Sequence, residues 1–386
     1  MRNKLTIAIF LVLVFGLTAA SLLKKPVEFS ENENRYLAQM PEFSLDSLFS
    51  SDEDKKFTSL YETFITDQFV MRDQWIRLKT YTERATFKQD IKNVFFCSDD
   101  YLIENYPAGD FTSQTAANNI SVLGQFVEQY QEKLGENGVR VMITPTASQI
   151  LKDKLPPFAS PYDQQAFLDS VRSAVGENVY LDAAATLSGH KNEYIFYRTD
   201  HHWTARGAFY AYQLWADSLG LEPWQEEDFN ITEVSDSFLG TVYSKVNFPN
   251  KADSILCYQP ESAKMNYRLT AFNGTSRDSL YVPSALEGKD KYTFYTGQND
   301  PLISIQSSGP EGTLERGRKL LIVKDSYAHS FVPFAANHFE ETFMVDLRYY
   351  NQPLSQLIEE KGITDILVLY NTENFATDTS IPKMLK

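Results

Sequence analysis

A serine in the segment LLIVKDSYAHSF, Leu320 to Phe331, stands where it could act as a nucleophile. An apolar run that predicts a strand stops just before Ser326, and a predicted helix begins at Tyr327 or one residue later. A serine at such a junction has its hydroxyl at the edge of the sheet, beside backbone N–H groups of a helix N-terminus that stabilise an oxyanion. Taken alone, the segment is more typical of a helix cap, a role that Asp325 or Ser326 would fill.

A serine nucleophile needs a base, and histidine is the usual base at neutral pH. The chain has five histidines, and two of them are adjacent in the segment YRTDHHWTARGAFYAY, Tyr197 to Tyr212. Asp200 precedes His201 and His202, and an aspartate beside a histidine can fix its tautomer and stabilise the imidazolium. Asp200 could instead cap or turn the chain while one histidine is structural. Taken together, the two segments support the hypothesis of acyl transfer by a serine, a histidine and an aspartate.

The elements that would position these residues form an α/β pattern. Open α/β sheets bind ligands beyond the carboxyl ends of their strands, which is where Ser326 would lie. Helical periodicity predicts helices over residues 114–136, 163–174, 204–220 and 353–361. We therefore expect an open, mainly parallel α/β sheet. Its five apolar strands would be Val139–Pro145, Asn178–Asp182, Arg318–Lys324, Glu341–Asp346 and Asp365–Tyr370.

The composition is that of an ordinary globular protein. Of the 386 residues, 43% are hydrophobic and 23% are charged, which excludes a disordered chain and a polytopic membrane protein. The formal net charge is −15. This acidity argues against broad nucleic-acid binding, because such binding requires Lys and Arg side chains to displace counterions. Aromatic residues make up 14% of the chain, which provides rings for stacking on sugars as well as for the core.

The first 25 residues differ from the rest of the chain. They carry four basic residues, Arg2, Lys4, Lys24 and Lys25, and no acidic residue, so the remaining chain has a net charge of −19. The uncharged stretch Leu5–Leu23 would span about 28 Å as a helix, close to the ~30 Å hydrocarbon core of a bilayer. This pattern predicts an export signal, and its length favours an uncleaved anchor over a cleaved signal peptide. We expect the rest of the protein to lie outside the cytoplasm.

These patterns divide the chain into three regions. Residues 1–25 would be the signal anchor or signal peptide, residues 26–113 a helical extension packed on the core, and residues 114–386 the α/β domain. Within that domain, the stretch from about residue 223 to 317 loses the α/β periodicity and contains short alternating runs such as Lys291–Gly297. We expect this stretch to form a β-rich or irregular insertion.

The two cysteines, Cys97 and Cys257, do not have the spacing of metal ligands. In an exported protein they would form one disulfide or remain as two unpaired buried thiols, and the sequence leaves both outcomes open. No metal ion and no organic cofactor is expected.

A resemblance to a known family rests on the segment YRTDHHWT, Tyr197–Thr204, which carries the Asp-His-His-Trp signature of the DHHW proteins. These proteins are similar to the alginate O-acetylation proteins and to other SGNH-hydrolase-like acetyltransferases. The likeness extends over nearly all of residues 30–375. It implies an SGNH-like three-layer fold, circularly permuted because the aspartate and histidine precede the serine. Further segments that look like the family are Glu33–Ser44, Asp67–Lys79, Leu320–Ala336 and Met344–Asn351.

The resemblance also implies roles for individual residues. In the acetyltransferase relatives an Asp-x-His-Trp motif supplies the acid and the base, and a later serine is the nucleophile, which implies Asp200, His202 and Ser326 here. His202 is preferred to His201 because it directly precedes Trp203, which would support the site. The Ser326 backbone N–H would contribute to the oxyanion site, whose second donor is not identified.

Four further residues are candidates for substrate binding. Arg348, Tyr349 and Tyr350 follow the strand after the serine helix, and arginine and tyrosine suit sugar hydroxyls, carboxylates and rings. The same three residues could instead form a surface salt bridge with packed aromatic rings. Lys324 stands where many SGNH serine segments have glycine, so we expect its side chain to narrow the approach to Ser326.

The function implied by the resemblance is that of an extracytoplasmic O-acetyltransferase or acetylesterase, anchored or secreted, in the cell envelope. It would act on a cell-surface or secreted polysaccharide through an acetyl-serine intermediate. Its partners would be the polysaccharide acceptor and a membrane-bound acyltransferase that supplies the acetyl group.

Two alternatives remain open from the sequence. One is a non-catalytic, anchored glycan-binding or assembly subunit that retains a degenerate hydrolase fold. The other is a metal-dependent phosphoesterase of the DHH type, because Asp200, His201 and His202 match the letters of its metal-binding signature. We find no companion Asp-x-Asp motif after an early strand, which such metal catalysis would require.

Overall fold

The computed structural model describes residues 2–30, 35–261 and 264–386, so the first two residues of the Glu33–Ser44 segment lie outside the described residues. The chain forms two compact units. One unit contains Met1–Ile91 and Tyr243–Pro249, and the other contains Lys92–Val242 and Asn250–Lys386. The domain boundaries expected after residues 25 and 113 stay a prediction.

The first unit begins with a long apolar helix. The helix α1 spans Arg2–Leu23, and its portion Lys4–Leu23 is long and apolar enough to cross a membrane and is not buried by the protein. A helix of this kind near an amino terminus occurs both in membrane anchors and in signal sequences, so the expected anchor stays a prediction. The unit also contains β1 (Phe29–Ser30), β2 (Arg35–Tyr36), α2 (Leu45–Leu48), α3 (Phe57–Gln68), α4 (Arg72–Ala85) and β3 (Asp90–Ile91).

The second unit holds both motif segments and is an α/β structure. Its strands are β4 (Val94–Phe96), β5 (Leu102–Glu104), β6 (Val139–Thr144), β7 (Phe229–Phe238), β8 (Asp253–Pro260), β9 (Asn266–Thr270), β10 (Ser276–Arg277), β11 (Leu302–Ser308), β12 (Glu315–Lys324), β13 (Phe339–Val345) and β14 (Asp365–Asn371). Its helices are α5 (Ala108–Thr112), α6 (Gln114–Leu134), α7 (Ala147–Ile150), α8 (Gln165–Val175), α9 (Ala183–Gly189), α10 (Ala205–Ser218), α11 (Thr241–Val246, which continues into the first unit), α12 (Ala328–Ala335), α13 (Leu354–Lys361) and α14 (Thr372–Thr377).

A mixed sheet of seven strands forms the centre of this unit, in the order β10-β9-β11-β13-β12-β14-β6. The strands β13, β12, β14 and β6 are parallel to one another. On the β13 side, β11, β9 and β10 continue the sheet in antiparallel pairs. The carboxyl ends of β12 and β14 therefore meet at one edge, which is where a ligand site is expected.

Helices cover both faces of the sheet. Along β12, Leu320 and Ile322 pack into one apolar core with α10 and α12, while Leu321 and Val323 pack into a second core with α6, α8 and α13. A parallel strand buried on both faces shows an unbroken apolar run instead of alternation, which explains the segment LLIV. The expected open α/β fold with three layers is confirmed.

Two local predictions were wrong. Asn178–Asp182 is not a strand: Tyr180 makes a single parallel bridge to Val141, and Asp182 then caps α9 by accepting a hydrogen bond from the Ala185 N–H at 2.9 Å. The run Lys291–Gly297 is not extended either, because it contains a 3₁₀ helix over Lys291–Phe294. In both places a local hydrogen-bonded turn competes successfully with a short strand pattern.

The expected insertion forms strands, some of which belong to the main sheet. Residues 223–317 provide the antiparallel pair β7–β8 and three strands of the main sheet, β9, β10 and β11. The insertion is therefore partly continuous with the α/β sheet.

Cys97 and Cys257 are both free thiols, which excludes the disulfide that the sequence left open.

Candidate active site

Ser326 lies directly beyond the carboxyl end of β12, in the short turn that leads to α12. The Asp325 carboxylate stabilises this turn by accepting hydrogen bonds from the backbone N–H groups of Tyr327 at 2.8 Å and Asn371 at 2.9 Å. An additional hydrogen bond comes from the Asn374 side chain at 2.9 Å. Asp325 therefore stabilises the backbone here, which leaves the Ser326 hydroxyl for another partner.

Ser326, His202 and Asp200 form a continuous hydrogen-bonded chain. Ser326 Oγ lies 2.7 Å from His202 Nε2, and His202 Nδ1 lies 2.6 Å from Asp200 Oδ1. Since an ionised aspartate only accepts hydrogen bonds, Nδ1 carries the ring proton and Nε2 accepts from the serine hydroxyl. The structure thus brings together the three side chains to which the resemblance gave catalytic roles.

The loop after β7 holds the Asp200 carboxylate in place. Thr241 donates two hydrogen bonds to Asp200 Oδ2, from its backbone N–H at 2.8 Å and its hydroxyl at 3.0 Å. Gly240 approaches so closely that a Cβ atom there would lie 2.3 Å from the Asp200 side chain. Asp253, at the start of β8, accepts a hydrogen bond from the Thr199 N–H at 2.8 Å and so fixes the preceding residue. Sequence reasoning missed all three supporting residues.

Burial and neighbouring charges set the protonation of the pair. Burial raises the pKa of Asp200, but His201, His202 and the Thr241 hydrogen bonds outweigh this effect and hold the pKa well below its usual range. Burial, together with the adjacent His201, lowers the pKa of His202 to about 4. At neutral pH Asp200 is therefore ionised and His202 is neutral, which is the state that a general base requires.

Tyr292 connects the histidine to the backbone of the serine turn. Its ring stacks on the His202 imidazole, with a centroid separation of 3.8 Å and an interplanar angle of 9°. Its hydroxyl donates a hydrogen bond to the Ser326 carbonyl oxygen at 3.0 Å and lies 3.1 Å from Ser330 Oγ. Sequence reasoning missed Tyr292, because its one signal was membership of the aromatic run Lys291–Gly297.

Trp203 cross-links the two motif segments. Its ring is fully buried, and its Nε1–H donates a hydrogen bond to the Tyr327 carbonyl oxygen at 3.0 Å. In the opposite direction, the Tyr327 hydroxyl donates to the His201 carbonyl oxygen at 2.6 Å. Trp203 is thus placed to support the serine turn through its backbone.

Lys324 lies in the interior and does not narrow the approach to Ser326. Its side chain is completely buried, with Nζ 2.9 Å from Asn299 Oδ1, 2.9 Å from His329 Nε2 and 3.4 Å from Asp346 Oδ2. Burial lowers the pKa of Lys324 to about 8 despite the nearby Asp346. The expectation of a substrate contact is therefore wrong, because the ammonium group is directed into this buried polar cluster.

The three residues after β13 have different surroundings. Arg348 makes a bidentate ion pair with Asp346, at 2.9 Å from Nε and 2.6 Å from Nη2, and its side chain remains 32% exposed. It lines a cavity of about 300 Å³ beside Asp325. Tyr349 is exposed, whereas Tyr350 is buried in the second apolar core. Tyr350 therefore presents no surface to a substrate, and Arg348 and Tyr349 remain as candidates.

Comparison with known proteins places the chain in a family. Residues 101–345, more than half of the chain, match the family described as DHHW protein. The chain belongs to the DHHW family. A DHHW family protein from Eubacterium siraeum has a similar crystal structure, with 25% identity, a TM-score of 0.61, and coverage of 76% of this chain and 95% of that one. No curated protein sequence matches the chain.

Two further solved structures are similar to this DHHW chain. Bacillus cereus PatB1, solved with a sulfonyl adduct, shows 22% identity and a TM-score of 0.61 over 77% of this chain and all of that one. The O-acetyltransferase domain of Pseudomonas putida AlgJ shows 14% identity and a TM-score of 0.41 over 74% of this chain and 93% of that one. The α/β fold with its open, mixed sheet is therefore shared with PatB1 and with the Eubacterium siraeum DHHW protein.

The side chains of Asp200, His201 and His202 are the candidate metal site of the alternative left open by the sequence. Asp200, His201 and His202 present possible ligand atoms within 4.8 Å of one another. Each of the three residues, however, already has a hydrogen-bond partner in the protein: Thr241 and His202 bind the Asp200 oxygens, His201 Nδ1 lies 2.7 Å from Thr241 Oγ1, and Ser326 binds His202 Nε2. A metal ion at this position would have to displace the hydrogen bonds of Asp200 and His202, so the donor set does not fit a resident ion.

Proposed function

We propose that this DHHW protein transfers acetyl groups through Ser326, as an O-acetyltransferase or acetylesterase that acts on a polysaccharide outside the cytoplasm. The observation that carries the proposal is the hydrogen-bonded chain from Ser326 Oγ to His202 and Asp200, with distances of 2.7 and 2.6 Å. A neutral, oriented histidine against a serine hydroxyl at a strand-to-helix turn is the arrangement that activates serine nucleophiles.

In the first half-reaction, Ser326 Oγ attacks the acetyl carbonyl carbon while its proton moves to His202 Nε2. The resulting imidazolium is stabilised by the ionised Asp200, and the oxyanion forms beside the Ser326 backbone N–H, which has no hydrogen-bond partner among the described residues. His202 then returns the proton to the leaving oxygen as the C–O bond breaks. The product of this half-reaction is an acetyl-serine.

In the second half-reaction, a sugar hydroxyl or water attacks the acetyl-serine. His202 Nε2 takes the proton of the attacking hydroxyl, and the Ser326 oxygen recovers a proton from the imidazolium as it leaves. A sugar hydroxyl makes the reaction a transfer, and water makes it a hydrolysis. Arg348, which lines the cavity beside Asp325, and the exposed Tyr349 are the proposed contacts for the acceptor.

Two further features support the proposal. PatB1, which shares the fold, was solved with a sulfonyl adduct, and sulfonyl halides react with activated nucleophiles. The exposed apolar helix α1 suits a membrane anchor or export signal, which would place the rest of the chain outside the cytoplasm. A membrane-bound acyltransferase is the proposed source of the acetyl group.

The test is turnover of a small activated acetyl ester by the full-length protein in detergent. The native protein should release acetate and carry an acetyl group on Ser326 in peptide mass spectra, and phenylmethylsulfonyl fluoride should label the same residue. Ser326→Ala should lower the rate by up to ~10³–10⁴-fold. Ser355→Ala on α13 is the matched control and should retain the native rate. Equal rates in the native and Ser326→Ala proteins would refute the nucleophile, and a requirement for a bound divalent ion would favour the metal-dependent alternative.

A further inference from the structure

A second, larger cavity lies where the antiparallel strands extend the sheet. Its volume is about 740 Å³, and its lining includes residues of β8, β9 and β11 together with Pro333 of α12. In register, Leu302 of β11 pairs with Val345, which pairs with Val323 of β12. Ser307 lies five residues beyond Leu302 in the direction away from Ser326, so at about 3.4 Å per residue and two strand spacings across, it is more than ~20 Å from the proposed nucleophile.

The face of β11 that reaches this cavity changes from apolar to polar along the strand. Ile303, Ile305 and Ser307 alternate onto the same face of β11, and the two isoleucines belong to the first apolar core. Ser307 comes next in the row and pairs with Tyr267 on β9, whose hydroxyl donates to Asn337 Oδ1 at 2.5 Å. The row of core residues therefore ends in a serine and a tyrosine at the point where the cavity opens.

Ser307 is the observation that points to a ligand. It is 7% exposed and lines the cavity, yet its hydroxyl has no hydrogen-bond partner among the residues that the structure describes. Buried hydroxyl groups without a partner are costly, so they are normally satisfied by protein, water or a bound molecule.

The remaining lining indicates the chemical class of that molecule. Amide and hydroxyl side chains surround Ser307, and the lining carries a net charge of only one positive, since Arg268 and Asp278 pair with each other at 3.5 Å. The tyrosine rings supply flat apolar surface, which together with uncharged hydrogen-bonding groups is what a sugar ring requires. The amide and hydroxyl side chains are Gln259, Asn266, Gln306, Ser307 and Ser308.

We propose that this cavity binds an uncharged saccharide. Its volume lies within the range of small-molecule sites. The binding itself does not depend on catalysis at Ser326. If the proposed function holds, the cavity gives the protein a second contact with the same polymer, which keeps the acceptor close while successive hydroxyl groups reach the nucleophile.

Calorimetric titration of the full-length protein in detergent tests the proposal, with chitotetraose and cellotetraose as neutral ligands and trigalacturonate as a polyanion. At least one neutral tetrasaccharide should bind with a stoichiometry of one. Ser308→Trp, at the exposed rim, should weaken binding at least tenfold, and Ser307→Ala should weaken it to a smaller degree. Thr275→Trp, on an exposed loop outside the cavity, is the matched control and should bind as the native protein does.

The saccharide cavity and the proposed nucleophile can be tested separately. Ser326→Ala should bind the tetrasaccharide with unchanged affinity while losing ester turnover, because the two sites are separate. Absence of binding by both neutral saccharides, preferential binding of trigalacturonate, or native affinity in Ser308→Trp would overturn the saccharide cavity. None of these three results bears on the nucleophile, which is tested by turnover alone.

Discussion

Tyr292 offers a sharp test of how the site is assembled, because a single side chain contacts both the base and the backbone of the nucleophile. Tyr292→Phe removes the hydroxyl that donates to the Ser326 carbonyl oxygen and keeps the ring on His202. Tyr292→Leu removes both contacts. The pair of variants therefore separates the anchoring of the turn from the positioning of the imidazole.

The expected loss of activity in each variant follows from the contacts that it removes. The Ser326 carbonyl also accepts from the His329 N–H at 3.2 Å, so it keeps a partner in Tyr292→Phe. The loss is then that of an ordinary neutral hydrogen bond, about 1 kcal/mol. If all of it is lost from the transition state, kcat/KM falls about fivefold. Removing the stacked ring adds ~0.5–1.5 kcal/mol. We therefore expect Tyr292→Leu to lose roughly 30-fold.

Initial rates of ester turnover between pH 3 and 9 provide the assay, with kcat and KM measured separately. The loss should appear in kcat, and in Tyr292→Leu the acidic limb should move upward, because water reaches His202 and its pKa returns towards 6.5. Tyr295→Phe is the control, since this buried tyrosine also donates to a backbone carbonyl, at 2.7 Å, without contacting His202. If both Tyr292 variants keep the native kcat and pH profile while Ser326→Ala is inactive, Tyr292 has only a structural role.

The remaining predictions concern the groups around the triad. Because the pKa of His202 is lowered to about 4, native kcat/KM should lose activity near pH 4 instead of 6.5, and His201→Asn should move this limb upward by removing one cause. In the same window, from pH 6.5 down to 4, the unfolded chain binds the His202 proton first, so the free energy of unfolding in urea should decrease. Gly240→Ala should lower kcat at least tenfold by displacing Asp200, whereas Gly109→Ala, with open space around it, should not change the rate. Lys324→Met should lower the free energy of unfolding by less than the ~3–5 kcal/mol of a broken buried ion pair, because Arg348 still binds Asp346; an unchanged melting curve would contradict this.

The central parallel strands could be predicted because burial on both faces leaves a pattern within each strand's own sequence. The segments Val139–Thr144 and Asp365–Asn371 are buried on both faces, so every residue contributes to an apolar run that is visible in the sequence. The antiparallel strands on the other side have one partly exposed face, so β9 and β11 were assigned only to a β-rich or irregular insertion. The strand predicted over Asn178–Asp182 was wrong because Asp182 caps a helix instead of ending a strand.

The site itself was predictable only where a motif marked it. Asp200, His202 and Ser326 stand in two recognisable segments, but Tyr292, Thr241 and Asp253 come from a region without periodicity. Their contributions depend on loops that approach from distant parts of the sequence, such as the 41 positions that separate Thr241 from Asp200. A single sequence contains no local signal for such an approach, because hydroxyl and carboxylate side chains in loops are common for many reasons.

The role of the Lys324 side chain in the structure differs from the one expected from the sequence. From the sequence its side chain was an obstacle in front of the nucleophile, because a bulky residue replaced the glycine of related segments. In the structure the last residue of β12 instead directs its ammonium group into the interior, where Asp346 and His329 receive it. Arg348 binds the same Asp346 from the exposed side. The two cations thus connect the end of β12 to the segment after β13 through one carboxylate. Since a buried charge tolerates little displacement from its partners, this connection restrains the strand end from which the Ser326 turn begins. The residue that was expected to narrow the approach to Ser326 thus helps to hold the Ser326 turn in place.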